Sequence, residues 1–418
     1  MTDDRIEADY LLETPIHPAR AAEIVAGEQS SGTFVAVPGE TPELKERSAA
    51  RVTALEVLDD AARRSLPSAG GGGEDERVTR AKVTLSWPLA TLGPSLPNLV
   101  ATVAGNLFEL KRVSGLKLLD IRMPPAFADA YPGPRFGVPG TRCLAGVRDR
   151  PLIGTIVKPS VGLDAGATAA LVGQLCEAGI DFIKDDELQS DGPICPFDER
   201  VRAVMRVIEA HADRTGKKPM YAFNLTGELD QMRRRHDALL AHGATCLMVS
   251  LNSVGLAGMI ELGRFSQLPI HAHRNGWGYL SRHPLLGWSY VAWQKLWRLA
   301  GADHMHVNGL QNKFSEPDES VVESARACLT PMFEHKPCTV VPVFSSGQTA
   351  RQIPATFAAL GSADFVLAAG GGIMAHPGGP AAGVRSMRQA WDAALAGVPL
   401  EEHARDHPEL GRALEIAA

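Results

Sequence analysis

The feature that most constrains the fold is a series of eight short apolar or β-branched runs beyond Pro132. Helix-length segments separate them, at spacings of roughly 25 to 40 residues that are typical of repeated βα units. The runs are Ile153–Val161, Phe182–Glu187, Met220–Leu225, Cys246–Asn252, Ile270–Asn275, His304–Gly309, Val340–Ser346 and Val366–Gly371. Eight such units predict a (β/α)8 barrel. An open doubly wound sheet is disfavoured, because no G-x-G-x-x-G follows the first run.

The region before the first run has a different pattern. Arg5–Leu12 alternates like a half-buried strand, Pro18–Val25 has proline where a helix begins, and strand character returns at Arg77–Trp87. This mixture predicts an α+β domain of the ferredoxin-like kind. The expected organisation is therefore an α/β protein with an N-terminal domain over residues 1–133 and a C-terminal TIM barrel over residues 134–418.

Composition excludes several classes of partner. The chain of 418 residues has a net charge of −6 and a pI near 6.1, which argues against binding to nucleic acid or to an acidic membrane. Apolar runs stay shorter than a membrane span, and the first residues lack the basic and apolar regions of a signal peptide. The six cysteines are scattered without zinc spacing. We expect a cytoplasmic protein.

Polar residues collect at the ends of the predicted strands. In a parallel barrel these ends meet at one mouth, where barrel enzymes carry their catalytic groups. The residues concerned are Lys158, Ser160, Lys184, Asp186, Glu187, His271, His273, Arg274, His304, His306, Asn308, Ser345, Ser346, Gly347, Gly370, Gly371 and Gly372. Burying so many ionisable groups without partners would cost several kcal/mol each, so they indicate a site. The glycine-rich ends of the last two strands indicate that one phosphate of the substrate binds there.

The second run ends in a lysine among carboxylates. Lys184 and Asp186 point the same way on a strand, with Glu187 at its exit. Two carboxylates suit Mg²⁺, and a lysine beside the ion requires a neutral amine or a carbamate formed with CO2. A salt-bridged strand end is the structural alternative. The two His-x-His pairs also allow a binuclear metallohydrolase, although those enzymes carry that motif on the first strand.

Four motifs in this order resemble the large subunit of ribulose-bisphosphate carboxylase/oxygenase, the RuBisCO family. They are Gly154–Pro159, Ile183–Glu187, His273–Arg274 and Gly370–Gly372, and the likeness extends to Glu28, Gly32–Thr33 and Gly105–Asn106. The resemblance implies an obligate homodimer without a small subunit. In it, Glu28, Thr33 and Asn106 would complete the partner's active site.

The resemblance also implies roles for individual residues. Lys184, carbamylated by CO2, would bind Mg²⁺ with Asp186 and Glu187. Lys158 would act as the acid and base at the reacting carbon, with His273 on substrate hydroxyls and Lys313 on a carboxylate or developing charge. The implied substrate-binding residues are Thr33, Gly347, Gly370 and Gly371 for one phosphate, Arg274 and His306 for a second phosphate site, and Ser345 for the substrate chain.

Departures from the carboxylase pattern indicate a RuBisCO-like protein that does not fix CO2. Ser160 stands where a second lysine is usual, Phe34 replaces a tryptophan, Ser346 a glycine, and Trp277 a histidine of the second phosphate site. The loop before Lys313 is also bulkier. The residues of the metal centre and of the first phosphate site are kept, whereas these substitutions indicate that the second phosphate site is remodelled.

The expected reaction makes an enolate of a phosphorylated 3-oxo sugar acid. Similar RuBisCO-like proteins decarboxylate 3-oxo-isoapionate 4-phosphate, or act on it as transcarboxylase/hydrolases. The alternatives are an enolase or isomerase of a methylthiopentose phosphate in methionine salvage, and a regulatory homologue without catalysis.

Overall fold

The computed structural model describes residues 4–31, 38–67 and 77–415. Contacts divide the chain into two compact units, the first formed by Met1–Tyr131 with Gly276–Leu299 and the second by Pro132–Asn275 with Ala300–Ala418. The sequence indicated one boundary near residue 133 and gave no sign that a later segment joins the first unit.

The first unit is built on a five-stranded mixed sheet. Its strands are β1 Arg5–Thr14, β2 Arg51–Ala61, β3 Val78–Pro88, β4 Gly115–Arg122 and β10 Leu286–Trp288. They lie in the order β10-β4-β1-β3-β2, in which β10 pairs with β4 in parallel and the other pairs are antiparallel. Buried and partly buried residues alternate along most of β1, as the sequence predicted for a half-buried strand. The predicted α+β character of this unit is confirmed.

Short helices accompany this sheet. They are α1 Pro18–Glu28, α2 Pro42–Ser48, α3 Leu89–Leu92, α4 Leu96–Val103, α5 Ala126–Ala130, α11 Trp277–Ser281 and α12 Tyr290–Ala300, with a 3₁₀ turn at Asn106–Glu109. Pro18 occupies the first turn of α1, where its missing N–H costs no hydrogen bond.

The second unit is a closed barrel of eight parallel strands. The strands are β5 Leu152–Ile156, β6 Phe182–Lys184, β7 Met220–Asn224, β8 Cys246–Ser250, β9 Ile270–His273, β11 His304–His306, β12 Val341–Phe344 and β13 Val366–Ala368. They close in the order β11-β12-β13-β5-β6-β7-β8-β9. Each of the eight predicted runs supplies one barrel strand, so the predicted fold class is confirmed.

One helix, α6 Gly137–Ala145, precedes the first barrel strand, and the other helices of this unit follow barrel strands. They are α7 Ala165–Glu177, α8 Phe197–Thr215, α9 Leu229–Ala241, α10 Leu251–Phe265, α13 Asp318–Leu329, α14 Ile353–Leu360, α15 Gly370–Met374, α16 Gly379–Ala396, α17 Leu400–His403 and α18 Pro408–Glu415, with a 3₁₀ turn at Ala350–Gln352. The start of α7 is capped by a side chain: Asp164 accepts the Ala167 N–H at 2.7 Å.

The barrel interior is filled by side chains two residues apart on opposite strands. One buried cluster joins Met220 and Ala222 of β7 with Val341 and Val343 of β12, and also contains Phe182. Lys184 follows Phe182 by two residues, so it lies on the same inward face, above this apolar layer. The apolar layer that contains Phe182 is therefore followed, toward the strand ends, by the polar side chain of Lys184.

Two sequence expectations concern the chain as a whole. The six cysteines, which the sequence scatters without zinc spacing, are all free, and the five that are buried serve as small core residues. Across residues 4–31, 38–67 and 77–415, no helix combines the length and apolar character needed to cross a membrane.

Candidate active site

Three predicted residues, Lys184, His273 and His306, are the last residues of their barrel strands. Lys184 pairs in register with Ile156 of β5 and Ala222 of β7, His273 pairs with Ser250 of β8, and His306 pairs with Val343 of β12. Parallel strands in a closed barrel end on one rim, so these side chains surround a common mouth.

Lys184 is fully buried at this mouth. Its Nζ donates to the Asp185 carbonyl oxygen at 2.7 Å and lies 3.5 Å from Glu187 Oε2. Burial lowers the pKa of Lys184, although the neighbouring carboxylates of Glu187, Asp186 and Asp185 pull it upward. The net shift favours the neutral amine, which is the form that reacts with CO2.

Lys158 pairs with Asp186. Lys158 Nζ lies 2.6 Å from Asp186 Oδ2 and 2.7 Å from Ser160 Oγ. Burial alone would raise the pKa of Asp186, but the Lys158 ammonium, the Leu188 N–H and the Ser160 hydroxyl outweigh burial and lower it. Ser160, which stands in place of the usual second lysine, therefore helps to hold the first lysine against its carboxylate.

His273 faces the second carboxylate. Its Nδ1 accepts the Asn275 N–H at 3.3 Å, which leaves the ring proton on Nε2, 3.5 Å from Glu187 Oε2. Burial, followed by the charge of Lys184, lowers the pKa of His273 to about 4. At neutral pH the ring is therefore an uncharged donor.

Two further histidines, His271 and His306, lie next to His273. His306 Nε2 is 2.7 Å from His271 Nε2, and His306 Nδ1 is 3.0 Å from Ser345 Oγ. Burial lowers the pKa of both histidines well below the usual range. The structure thus brings the predicted substrate residues His306 and Ser345 into contact and adds His271 as the group that fixes the His306 ring.

The glycine-rich ends of β12 and β13 approach the lysines. Gly347 has φ +92°, and a Cβ placed on Gly370 would lie 3.8 Å from Lys158 Cε. Gly370 and Gly371 open α15, so their backbone N–H groups are available to an anion. Lys313 N donates to the Ser346 carbonyl at 3.2 Å, while the exposed Lys313 side chain lies over the Phe314 ring, with Nζ 5.3 Å from the ring centroid.

The hydrogen-bond network around Asp185, which lies between Lys184 and Asp186 in the chain, was not predicted from the sequence. Asp185 accepts from Tyr221 Oη at 2.5 Å, Asn224 N at 2.9 Å and Arg200 Nε at 3.2 Å. Asp185 points away from its neighbours Lys184 and Asp186, since adjacent residues alternate faces. The signal for this network was Arg200, a charged residue on the buried face of α8.

Three of the predicted site residues, Glu28, Thr33 and Asn106, belong to the first unit. Glu28 ends α1, and Asn106 begins the 3₁₀ turn. The residues that adjoin them in sequence approach each other, since a Cβ placed on Gly105 would lie 2.9 Å from the Gln29 side chain. Thr33, together with Gly32 and Phe34, falls outside the described residues. The roles of all three stay predictions.

The donor set at the mouth limits which metal could bind. Within the described ranges, no group of three or more His, Cys, Asp and Glu side chains is arranged to hold an ion. Asp186 and Glu187 offer two carboxylates, so a third oxygen donor must come from elsewhere. The buried amine of Lys184 can supply it only as a carbamate.

A buried lysine among carboxylates at the C-terminal ends of parallel barrel strands is the arrangement found in (β/α)8-barrel enzymes. The family model for the ribulose bisphosphate carboxylase large chain, catalytic domain, matches residues 137–417, and the model for its N-terminal domain matches residues 6–127. The chain belongs to the ribulose bisphosphate carboxylase large-chain family, and the resemblance predicted from its motifs is confirmed.

Three similar proteins indicate which members of the family this chain resembles. A 3-oxo-isoapionate-4-phosphate transcarboxylase/hydrolase of Xanthobacter autotrophicus is 59% identical over 411 residues, covering 98% of this chain and 99% of that protein. A 3-oxo-isoapionate-4-phosphate decarboxylase of Rhizobium etli is 46% identical over 411 residues, covering 98% of each. The crystal structure of a rubisco-like protein from Burkholderia fungorum is 50% identical with a TM-score of 0.92, covering 99% of this chain and 100% of that one. The predicted class of enzyme, a RuBisCO-like lyase or hydrolase, agrees with these names.

Proposed function

We propose that the protein acts on 3-oxo-isoapionate 4-phosphate as a transcarboxylase/hydrolase. The observation that carries the proposal is the retained mouth of the barrel: Lys158 held on Asp186, and buried Lys184 beside Glu187. The 59% identity over almost the full length of both chains supports the same substrate. Decarboxylation, the activity named for the Rhizobium etli relative, is the nearest alternative and uses the same kind of enolate.

The proposed cofactor is Mg²⁺, held by carbamylated Lys184, Asp186 and Glu187. When bound, the ion would polarise the 3-oxo group and neutralise charge that develops on its oxygen. Burial lowers the pKa of Lys184, which supports carbamate formation because the neutral amine is the form that reacts with CO2.

The chain's own residues would handle binding and protons. Lys158 Nζ, fixed by Asp186 and Ser160, would give or take the proton at the reacting carbon. The uncharged His273 would donate Nε2–H to a substrate hydroxyl or oxyanion. Backbone N–H groups at Gly370 and Gly371 would hold the phosphate. Lys313 would meet the substrate carboxylate once its side chain leaves Phe314.

The test follows the substrate by NMR. Protein with Mg²⁺ and bicarbonate is given 3-oxo-isoapionate 4-phosphate, then a methylthioribulose phosphate. Cleavage or carboxyl transfer from the first compound supports the proposal, and loss of CO2 alone would move the protein to the decarboxylases. Turnover of only the second compound would assign it to methionine salvage. Inactivity with both, together with an unmodified Lys184 by mass spectrometry, would favour a regulatory protein.

We also propose a homodimer in which Glu28, Thr33 and Asn106 act in the partner's site. Mixing subunits tests this, because Glu28→Gln and Lys158→Ala would disable different halves of each shared site. Random mixed dimers should recover about a quarter of wild-type activity, since half of them carry one intact site of two. A mixture that stays inactive while mass spectrometry shows subunit exchange would contradict shared sites.

A further inference from the structure

Arg274 already has an anionic partner within the chain. It follows β9 beside His273, is 7% exposed, and donates from Nη2 to Glu316 Oε2 at 2.6 Å. An arginine at a barrel mouth is well suited to grip a phosphate or carboxylate of a ligand. Here a carboxylate from the loop after β11 occupies that guanidinium edge.

Glu316 is held in place by more than this ion pair. Asn308 Nδ2 donates to the same oxygen at 2.7 Å, and Ser320 Oγ donates to Glu316 Oε1 at 3.0 Å. Both carboxylate oxygens are therefore bound. The side chain keeps only 14% of its surface exposed. A carboxylate fixed in this way does not swing aside to admit another anion without breaking three contacts.

The backbone is strained where this arrangement meets the next strand. Asn308 and Ser346 both have φ +70°, in the left-handed region that residues other than glycine seldom adopt. Ser346 Oγ donates to Asn308 Oδ1 at 2.8 Å, which orients the amide so that Nδ2 faces Glu316. Backbone outliers of this kind persist where the surroundings over-determine them, and they cluster at ligand clamps. We call Arg274, Asn308, Glu316, Ser320 and Ser346 the Glu316 network.

We infer that Glu316 is a specificity-determining residue, a built-in anion that occupies Arg274 and restricts the site to ligands with a phosphate at one end only. The inference rests on the proposed function, because it concerns the substrate class of the same mouth. A second phosphate brought to Arg274 would meet the Glu316 carboxylate at close range. It would be repelled by that charge and would have to displace an existing ion pair.

The experiment compares two ligands that differ by one phosphate. Binding of ribitol 5-phosphate and ribitol 1,5-bisphosphate is measured by calorimetry on the full-length protein. For the wild type, the affinity for the bisphosphate should exceed that for the monophosphate by no more than about threefold, because the second phosphate would meet an Arg274 that is already paired with Glu316. A wild-type preference above tenfold would overturn the inference without any variant.

Glu316→Gln removes the charge but keeps the shape of the side chain: its amide oxygen can accept from Asn308 Nδ2, and its amide nitrogen can donate to Ser320 Oγ. It should raise the affinity for the bisphosphate at least about tenfold and change that for the monophosphate by less than threefold. Glu323→Gln, an equal charge change on the exposed face of α13, is the matched control and should leave both affinities unchanged. Equal gains for both ligands would show a general charge effect and would refute the assignment.

A double variant connects the gain to Arg274. Arg274→Gln with Glu316→Gln removes both charges, so the bisphosphate affinity should return to the wild-type value. A gain that persists would mean that the second phosphate binds elsewhere. Because binding is measured without turnover, a failed proposed function and a failed inference are told apart: inactivity on 3-oxo-isoapionate 4-phosphate leaves the affinity ratio intact, whereas an unchanged ratio refutes only the role of Glu316.

Discussion

The two ends of the barrel use buried carboxylates in opposite ways. At the bottom, Asp181 precedes β6 and binds Arg150 at 2.6 and 3.0 Å, Lys217 at 2.7 Å and the Ile153 N–H at 2.9 Å. At the mouth, the ion-pair partners of Glu187 lie farther away: Lys184 Nζ and His273 Nε2 are each 3.5 Å from Glu187 Oε2. Carboxylates at the bottom are saturated by fixed donors, while one at the mouth retains capacity for a ligand.

Asp303 extends the same contrast. It precedes β11 and accepts three backbone N–H groups, from Phe136 at 2.7 Å, Gly137 at 2.8 Å and Ile270 at 2.9 Å. No rotation of this side chain could free an oxygen without abandoning a backbone donor. Asp181 and Asp303 at the bottom therefore stabilise the fold, whereas Glu187 at the mouth is the carboxylate for which we propose a chemical role, as barrel architecture leads one to expect.

The largest effect should come from breaking the mouth pair. Lys158→Ala or Asp186→Ala should lower kcat by at least about 10³-fold, because the acid–base group is lost or misplaced. For Lys158→Ala the melting temperature should change little, since Lys158 is partly exposed. Steady-state kinetics and thermal unfolding measure the two quantities, with exposed Lys111→Ala as the control. An active Lys158→Ala variant would refute the assigned role.

Breaking a bottom carboxylate should have the converse effect. Asp181→Asn leaves Arg150 and Lys217 without their buried anion and should lower the free energy of unfolding by about 3 kcal/mol. The kcat of the protein that remains folded should stay near the wild-type value. Urea titration beside Asp213→Asn, an exposed control, tests this. A variant with normal stability and lost activity would reverse the comparison.

Acid should destabilise the barrel through its buried histidines. Burial lowers the pKa of His304 to about 3, and those of His271 and His306 also fall, so below pH 6.5 only the unfolded chain takes up these protons. Each such histidine then removes roughly 1.4 kcal/mol of stability per pH unit. Burial raises the pKa of Asp303 to about 6, which offsets one of them between pH 6 and the usual aspartate pKa.

Urea midpoints between pH 7 and pH 5 measure this slope. His304→Gln keeps a polar group near Thr141 and should make the slope shallower by about one histidine's share. An identical slope in the variant would show that His304 takes up its proton in the folded state.

The smallest expected effect separates two neighbouring glycines at the mouth. A Cβ on Gly372 would lie 2.5 Å from the Gln348 carbonyl oxygen, so Gly372→Ala should cost about 2 kcal/mol of stability. A Cβ on Gly371 meets no atom within 4 Å, and Gly371→Ala should change stability by less than about 0.5 kcal/mol. Thermal unfolding of the pair shows whether backbone packing or open space governs each position.

Much of the fold was predictable because the signals are local. Run length and spacing indicated all eight barrel strands, and alternation along β1 indicated a half-buried strand. Strand β10 was missed. It has three residues, and it pairs with β4, which lies far away in the sequence. A strand that short has no periodicity of its own.

The sequence by itself determined which chemical groups reach the mouth, since each strand delivers the residues that follow it. Only the tertiary structure decided how those groups pair. Lys158 donates to Asp186, which follows the neighbouring strand, Arg200 donates to Asp185, and Arg274 donates to Glu316. These contacts join residues from 15 to 42 positions apart. Such pairing depends on loop paths and barrel closure, which no local pattern in the chain encodes.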